Sequence, residues 1–391
     1  MIKIHSTLRK SNLKNKRVFV RADLNTNQTI KAFSKNDFRL KNIVPTLNLI
    51  LKKGGTIILC SHYGRPMNQE PELSTQHLIP WFKEQGFTIG FAATPEDIQV
   101  LSEQEKYSII MLENIRFFAG EEACDLSFAK RLAACADYYV NDAFGSCHRK
   151  SASLTVLPTL FTKENRSIGL LVENELRHLN PLLTHQKHPF VVMIGGIKGA
   201  TKIPLLHDLL PKLDTLLITT PLCFTFFAAM GKKTGKSYTE NNMLSAAKKL
   251  LIEAKKQNVT IFFPDDFQVT EASFETPKKI HLASQLGPKD VGISIGPDTT
   301  DRWKQKLLEA KTIFINGLPG NPQYVETLES TRILLHALQR ISGTTVIGGG
   351  DSISLVNQLG CDDVGYLSTG GGATLAYLSG QVLFALTFFE D

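Results

Sequence analysis

Short apolar runs of strand length recur along the chain, at 17–22, 56–60, 108–112, 137–141, 190–194, 214–218, 259–263, 311–315, 344–347 and 364–367. They are nearly continuous rather than alternating, the pattern of parallel strands buried on both faces. Between many of them lie segments with helical spacing, such as Val44, Leu47 and Leu51, then Phe128, Leu132 and Cys135, then Trp303, Leu307 and Ala310. Strand and helix therefore alternate, which predicts an α/β fold with parallel sheets. The runs form two groups separated by a stretch in which Ile168, Val172, Leu176, Leu179 and Leu183 share helical spacing. That predicts two doubly wound domains, 1–168 and 188–377, joined by a connecting helix over 169–187. Pro181 is expected to kink or end this helix, because an interior proline removes a hydrogen bond and crowds the preceding turn.

Composition narrows the picture. At 391 residues the chain exceeds the usual size of one hydrophobic core, in keeping with two domains. A formal charge of +7 points to acidic ligands, but the basic residues are scattered in pairs such as Lys52-Lys53 and Lys248-Lys249. Without a polybasic run or a basic stripe interleaved with aromatics, neither nucleic acid nor an anionic membrane is the expected partner. The six cysteines show no CxxC pair and no zinc-like spacing, as expected of free thiols in a reducing compartment. The polar start over residues 1–15 lacks the apolar core of a signal peptide, and the most apolar stretch, 377–389, is too short to span a bilayer. A soluble cytoplasmic protein is the expectation.

Ligands of open α/β sheets bind outside the carboxyl ends of the strands, so the polar residues that follow each run are the candidate chemistry. In the first half these are Asp23 and Asn25, then His62 and Arg65, then Arg116, then Asn141 and Asp142, with His148 and Arg149 just beyond and Arg39 in the connection after Asn25. Singly, each such residue is ordinarily solvated surface or half of an ion pair. Together, four arginines and a histidine on successive strand ends suit one small, highly anionic ligand, because guanidinium offers a planar fork to phosphate or carboxylate.

In the second half the followers are Gly195-Gly196-Ile197-Lys198 with Lys202, then Asn316-Gly317, then two glycine triplets, Gly348-Gly349-Gly350-Asp351-Ser352 and Gly370-Gly371-Gly372-Ala373. Lys198 and Lys202 are four apart and would share one helix face. Each triplet follows a strand-like run and opens a helix-like segment, an arrangement that brings backbone N–H groups and a helix N-terminus close to an anion. Asp351 stands where a carboxylate could hold Mg²⁺ bridging phosphates. No Walker A sequence occurs, so a P-loop site is not expected.

These motifs resemble the phosphoglycerate kinase family along essentially the whole chain. The resemblance rests on Val20-Arg21-Ala22-Asp23-Leu24-Asn25, Asp37-Phe38-Arg39, Ser61-His62-Tyr63-Gly64-Arg65-Pro66 and Leu112-Glu113-Asn114-Ile115-Arg116-Phe117. It continues through Tyr139 to Ser146 with His148-Arg149, Gly195 to Lys198, Asn316-Gly317 and both triplets. The resemblance implies two Rossmann-like domains, 3-phosphoglycerate on the first, Mg-nucleotide on the second, and a C-terminal tail, about 378–391, that packs back on the first. It implies that Asp23, Asn25, Arg39, His62, Arg65, Arg116 and Arg149 hold the phosphoglycerate. Lys198, Lys202, Asn316, Gln323, Gly349, Gly350, Asp351 and Ser352 would hold ADP or ATP, with Asp351 on Mg²⁺. The implied reaction is phosphoryl transfer from 1,3-bisphosphoglycerate to ADP, with Arg39, Lys202 and the N–H groups of Gly370 to Gly372 stabilising the moving group.

Several positions depart from the family pattern. Thr219-Thr220-Pro221 stands where three glycines usually flank the adenine, Gln323 replaces a glutamate at the ribose, and Phe384-Ala385 replaces Pro-Gly. The departures imply a crowded base pocket and a relaxed preference between ADP and GDP. A degenerate member that binds anionic metabolites without turnover is the competing expectation, and the presence of Arg39, Lys202 and Asp351 speaks against it.

Overall fold

The computed structural model describes residues 4, 7–26, 37–271 and 278–390. Two compact units divide the chain, one of Met1–Arg177 with Val382–Asp391 and one of His178–Gln381. The first is built on six parallel strands: β1 (Arg17–Ala22), β2 (Thr56–Ser61), β3 (Ile89–Ala92), β4 (Ile109–Leu112), β5 (Tyr138–Asp142) and β6 (Arg166–Ile168), in the order β3-β4-β2-β1-β5-β6. The second holds β7 (Phe190–Ile194), β8 (Thr215–Ile218), β9 (Thr260–Phe262), β10 (Asp266–Thr270), β11 (Lys279–Leu282), β12 (Val291–Ile295), β13 (Thr312–Asn316), β14 (Thr344–Ile347) and β15 (Tyr366–Leu367). Six of these form a parallel sheet in the order β15-β14-β13-β7-β8-β9.

Every expected run contains a strand, and the fold is of the expected α/β class. The strands not foreseen have a common physical cause. β3 and β6 are short edge strands, the first interrupted by Gly90, and neither carries a continuous apolar run. β10, β11 and β12 form a further, antiparallel sheet beside the expected parallel one of this unit. A sheet with one solvated face mixes polar and apolar residues, and β11, Lys279-Ile280-His281-Leu282, is largely exposed.

In the first unit the helix Phe38–Lys52 buries Leu40, Ile43, Leu47 and Ile50 against Val18, Val20, Ile57 and Leu59. Val44 and Leu51, expected on that stripe, lie at its flank. Register then sets the working edge: Ala22 of β1 pairs with Ser61 of β2 and with Asp142 of β5, so Asp23, His62 and the segment from Ala143 to Arg149 all leave the sheet at one end. The terminal segment belongs to this unit. Ala385 N–H donates to Cys147 O at 3.1 Å, Asn141 Nδ2 donates to Ala385 O at 3.1 Å, and Phe389 stacks on Tyr139.

The connecting helix spans Leu170–Thr184 and runs through Pro181 rather than ending there. Pro181 cannot donate to the carbonyl of Arg177, but both residues are exposed and water can satisfy it. At the other end Leu170 N–H donates to Thr46 Oγ1 at 3.0 Å and Val172 N–H to Asp142 Oδ1 at 3.1 Å, which satisfies two of the donors a helix start leaves open.

Burial pushes the Asp142 carboxyl up to about 7, even though hydrogen bonds from Thr46, Val172 and Leu171 favour its charged form. A carboxyl that holds its proton more tightly when folded contributes stability that is complete below the unfolded value near ~3.9 and is lost as pH rises through about 7. Replacing Asp142 by Asn should therefore flatten the pH profile. We expect the wild type to lose about 1–3 kcal/mol relative to Asp142→Asn between pH 4.5 and 7.5 in urea unfolding, and a pH-independent difference would overturn this account.

Candidate active site

In the first unit, Asp23 leaves β1 and is tied on several sides. Arg39 Nη1 lies 2.5 Å from its Oδ1, Asn25 N–H donates to Oδ1 at 3.3 Å and Ser146 Oγ to Oδ2 at 3.4 Å. Burial works to raise this carboxyl, but the nearby charges of Arg39 and Arg21 and the Arg39 hydrogen bond, with His62 adding only once it is protonated in acid, outweigh it and hold Asp23 well below the usual carboxylate range. Arg39 is placed by the helix start: Asp37 caps it, accepting from the N–H groups of Arg39 and Leu40 at 3.0 Å. Asn25 Oδ1 accepts from Gly64 N–H at 2.8 Å and so fixes the loop that carries Arg65.

His62 is buried, and burial pulls its pKa down to about 3, with Asp23 opposing and Arg21, Arg116 and Arg39 adding to the fall. At neutral pH it is an uncharged imidazole rather than the fifth cation of the cluster. Among the described residues its buried Nδ1 has no hydrogen-bond partner.

Arg116 Nη1 donates to Gly64 O at 2.6 Å. Burial lowers its pKa first, followed by the charges of Arg149 and Arg21, with Arg65 contributing and Glu122 opposing from 3.7 Å. A cavity of about 150 Å³ is lined by the basic residues Arg21, Arg116, Arg149 and Lys150, and also by Glu121 and Glu122. The structure thus gathers Arg116 and Arg149 at one cavity, Asp23, Arg39 and His62 in a connected group, and exposed Arg65 within electrostatic reach of Arg116. Arg21 was absent from the candidates read at strand ends because it lies inside β1. The available signal was an arginine within the otherwise apolar run Val18 to Ala22.

In the second unit the parallel strands end in the expected loops. Lys198 is the residue before the helix Gly199–Leu209 rather than part of it, so it shares no helix face with Lys202. Lys202 Nζ donates to Gly195 O and, at 3.1 Å, to Asn316 O. Burial lowers its pKa to about 8, Asp351 opposing and Lys198 adding, which places Lys198, Lys202 and Asp351 in one electrostatic neighbourhood. The start of that helix already holds a carboxylate. Glu240, unremarked in the sequence, accepts from Gly199 N–H at 2.5 Å and Ala200 N–H at 2.9 Å.

Gly349, at φ 94°, precedes the helix Gly350–Gln358, and Gly371, at φ 52°, precedes the helix Gly372–Leu378. Both are left-handed conformations that glycine adopts without strain. An added Cβ at Gly371 or Gly372 would meet nothing within 4 Å, so both backbones face open space. Asn316 is buried at the end of β13, and a Cβ built on Gly349 lies 3.4 Å from its Nδ2. Ser352 Oγ accepts from Gly317 N–H at 3.0 Å and from Leu318 N–H at 3.3 Å, so it braces the Asn316-Gly317 turn. Gln323 stands apart on an exposed turn, its N–H donating to Asn321 Oδ1 at 3.0 Å.

Thr219 and Thr220 are turned inward. Thr219 Oγ1 donates toward the carbonyls of Thr220 and Gly317, Thr220 Oγ1 donates to Ile293 O, and both residues are buried. Their hydroxyls therefore tie the β8 loop to β12 and to the turn after β13, and crowding of a base by all three residues, as the resemblance implies, is not what the packing favours. Pro221 alone of the three is part-exposed.

The family profile described as phosphoglycerate kinase matches residues 8–381. Phosphoglycerate kinase 3, cytosolic, of Arabidopsis thaliana is 37% identical over 386 residues, which cover 96% of each chain. The phosphoglycerate kinase of Nostoc punctiforme is 34% identical over 399 residues, covering 99% of this chain and 98% of that one. Among solved structures, phosphoglycerate kinase from Coxiella burnetii superposes with a TM-score of 0.81 at 29% identity, over 98% of both chains. With two α/β units, a cationic strand-end cluster in one and a lysine and glycine-turn cluster in the other, matched in sequence over nearly its whole length, the chain belongs to the phosphoglycerate kinase family of phosphotransferases.

Proposed function

We propose that this protein transfers a phosphoryl group reversibly from 1,3-bisphosphoglycerate to ADP, giving 3-phosphoglycerate and ATP, as a monomeric cytoplasmic enzyme of glycolysis and gluconeogenesis. The observation that carries the reading is geometric: Arg21, Arg116, Arg149 and Lys150 line one cavity of about 150 Å³, and burial and the neighbouring arginines lower the Arg116 pKa while Glu122 opposes. Gathering like charges in a half-buried site costs stability, and a highly anionic ligand offsets that cost.

Arg65, Arg116 and Arg149 bind the phosphate of the phosphoglycerate, and Asp23, Asn25, Arg39 and neutral His62 bind its remaining polar atoms. Lys198, Lys202, Asn316 and the Gly349 to Ser352 turn take the nucleotide, Gln323 its ribose. Arg39, Lys202 and the N–H groups at Gly371 and Gly372 stabilise the moving phosphoryl group. The donor set fits Mg²⁺: among the described residues no three acidic, histidine or cysteine side chains gather, and Asp351 is one exposed carboxylate, as suits an ion that takes its other ligands from phosphates and water. Bound with the nucleotide and held by Asp351, that ion would neutralise charge on the phosphate oxygens.

The six cysteines are free, which supports a reducing compartment. Among the described residues no helix is long and apolar enough to cross a membrane. Steady-state turnover with 1,3-bisphosphoglycerate and ADP, with GDP in parallel, tests the reading. Binding of 3-phosphoglycerate without turnover would favour the degenerate binder instead. Asp351→Asn is expected to weaken Mg-ADP binding by about tenfold or more, ~1.4 kcal/mol, while metal-free ADP binding changes little. Calorimetry with and without Mg²⁺ measures both, and equal losses would make Asp351 a structural residue.

A further inference from the structure

Four residues beyond Arg149, Ser153 sits fully buried in a π-helical turn, Ala152–Val156, and joins three other elements. Its N–H donates to Glu121 Oε2 at 2.8 Å, its Oγ donates to Glu121 Oε1 at 2.7 Å, and its carbonyl accepts from Tyr139 Oη at 2.8 Å. The same Oγ accepts from Arg21 Nε at 2.8 Å. The direction of these bonds is fixed by chemistry, because a guanidinium can only donate and an ionised carboxylate can only accept. A buried carboxylate and a buried guanidinium therefore meet through one neutral hydroxyl, while Arg21 Nη1 donates to Ala22 O, and both Arg21 and Glu121 line the cavity shared with Arg116 and Arg149.

We propose that Ser153 is a positioning residue for recognition of the phosphorylated carboxylic acid: its hydroxyl occupies Glu121 and so leaves the Arg21 guanidinium facing the anion cavity. This rests on the functional reading above. A guanidinium and a carboxylate this close pair directly, and bidentately, once nothing separates them. Without the hydroxyl, Glu121 captures Arg21, and the cavity loses both a donor and a positive charge. The nucleotide side has no part in this network.

The test uses the full-length enzyme. Ser153→Ala should raise KM for 3-phosphoglycerate about tenfold, with kcat within about threefold and KM for ATP within about twofold of wild type. Ser153→Cys, slightly larger and offering only a weak hydrogen bond, should move KM in the same direction and stands in if the alanine variant fails to fold. Glu121→Gln combined with Ser153→Ala removes the charge that captures Arg21, and should return KM for 3-phosphoglycerate to within about threefold of wild type. A purely structural serine predicts the opposite: the double variant is worse than the single one in both KM and melting temperature. An unchanged KM in Ser153→Ala, or no recovery in the double variant, overturns the assignment while wild-type turnover leaves the functional reading standing. Absence of 3-phosphoglycerate binding and turnover in the wild type overturns both.

Discussion

Arg39→Ala is expected to lower kcat by about 10³ or more while ADP and ATP affinity stay close to wild type, because a phosphoryl-stabilising arginine acts chiefly in the transition state. On the proposed role, the geometry around Arg39 gives the reason for so large an effect. Asp37 fixes the start of the helix that carries Arg39, and Asp23 holds Arg39 Nη1 at 2.5 Å, so the guanidinium is oriented before any substrate arrives. Preorganised charge costs no reorganisation during reaction, which is why its loss is expected to appear in kcat. Arg39→Lys should recover little, since a point charge on a flexible stem does not reproduce the planar fork. Steady-state kinetics with nucleotide binding measured separately checks this, and an effect confined to KM would remove Arg39 from the transition state.

The second large effect concerns Lys202. Burial lowers its pKa to about 8 in the free protein, with Asp351 opposing and Lys198 adding to the fall. A nucleotide phosphate beside it favours the charged form and raises that pKa, so binding above pH 8 takes up a proton and affinity falls as pH rises through about 8. Titration calorimetry at pH 8.5 in buffers of different ionisation enthalpy should detect this uptake, and Lys202→Arg, charged at all these pH values, should abolish it. Lys202→Ala should lower kcat by about 10²–10³, the cost typical of removing one charge-stabilising donor. Wild-type binding without proton uptake would show that Lys202 meets no phosphate.

Much of this was legible along the chain, for a physical reason. Strands buried on both faces must be continuously apolar, so the sequence marked the parallel strands, and what followed each one marked the working edge, including Asp23, His62, Arg116 and both glycine turns. Glycines at φ 94° and 52° were likewise readable, because side-chain-bearing residues rarely adopt those conformations. What local pattern could not carry was pairing across the fold. The Glu240 carboxylate on the helix start after Lys198 and the Glu121–Ser153–Arg21 chain join residues far apart in sequence, while the antiparallel β10–β12 sheet, of mixed polarity, has no continuous apolar run to mark it. Charge state also waited for tertiary structure. His62 reads as a cation in sequence, yet burial among Arg21, Arg116 and Arg39 makes it neutral, while Asp142 and Lys202 are shifted by desolvation that no spacing encodes. Residue type and backbone periodicity belong to the sequence; which polar atoms are buried, and beside which charges, is decided only when distant segments pack together.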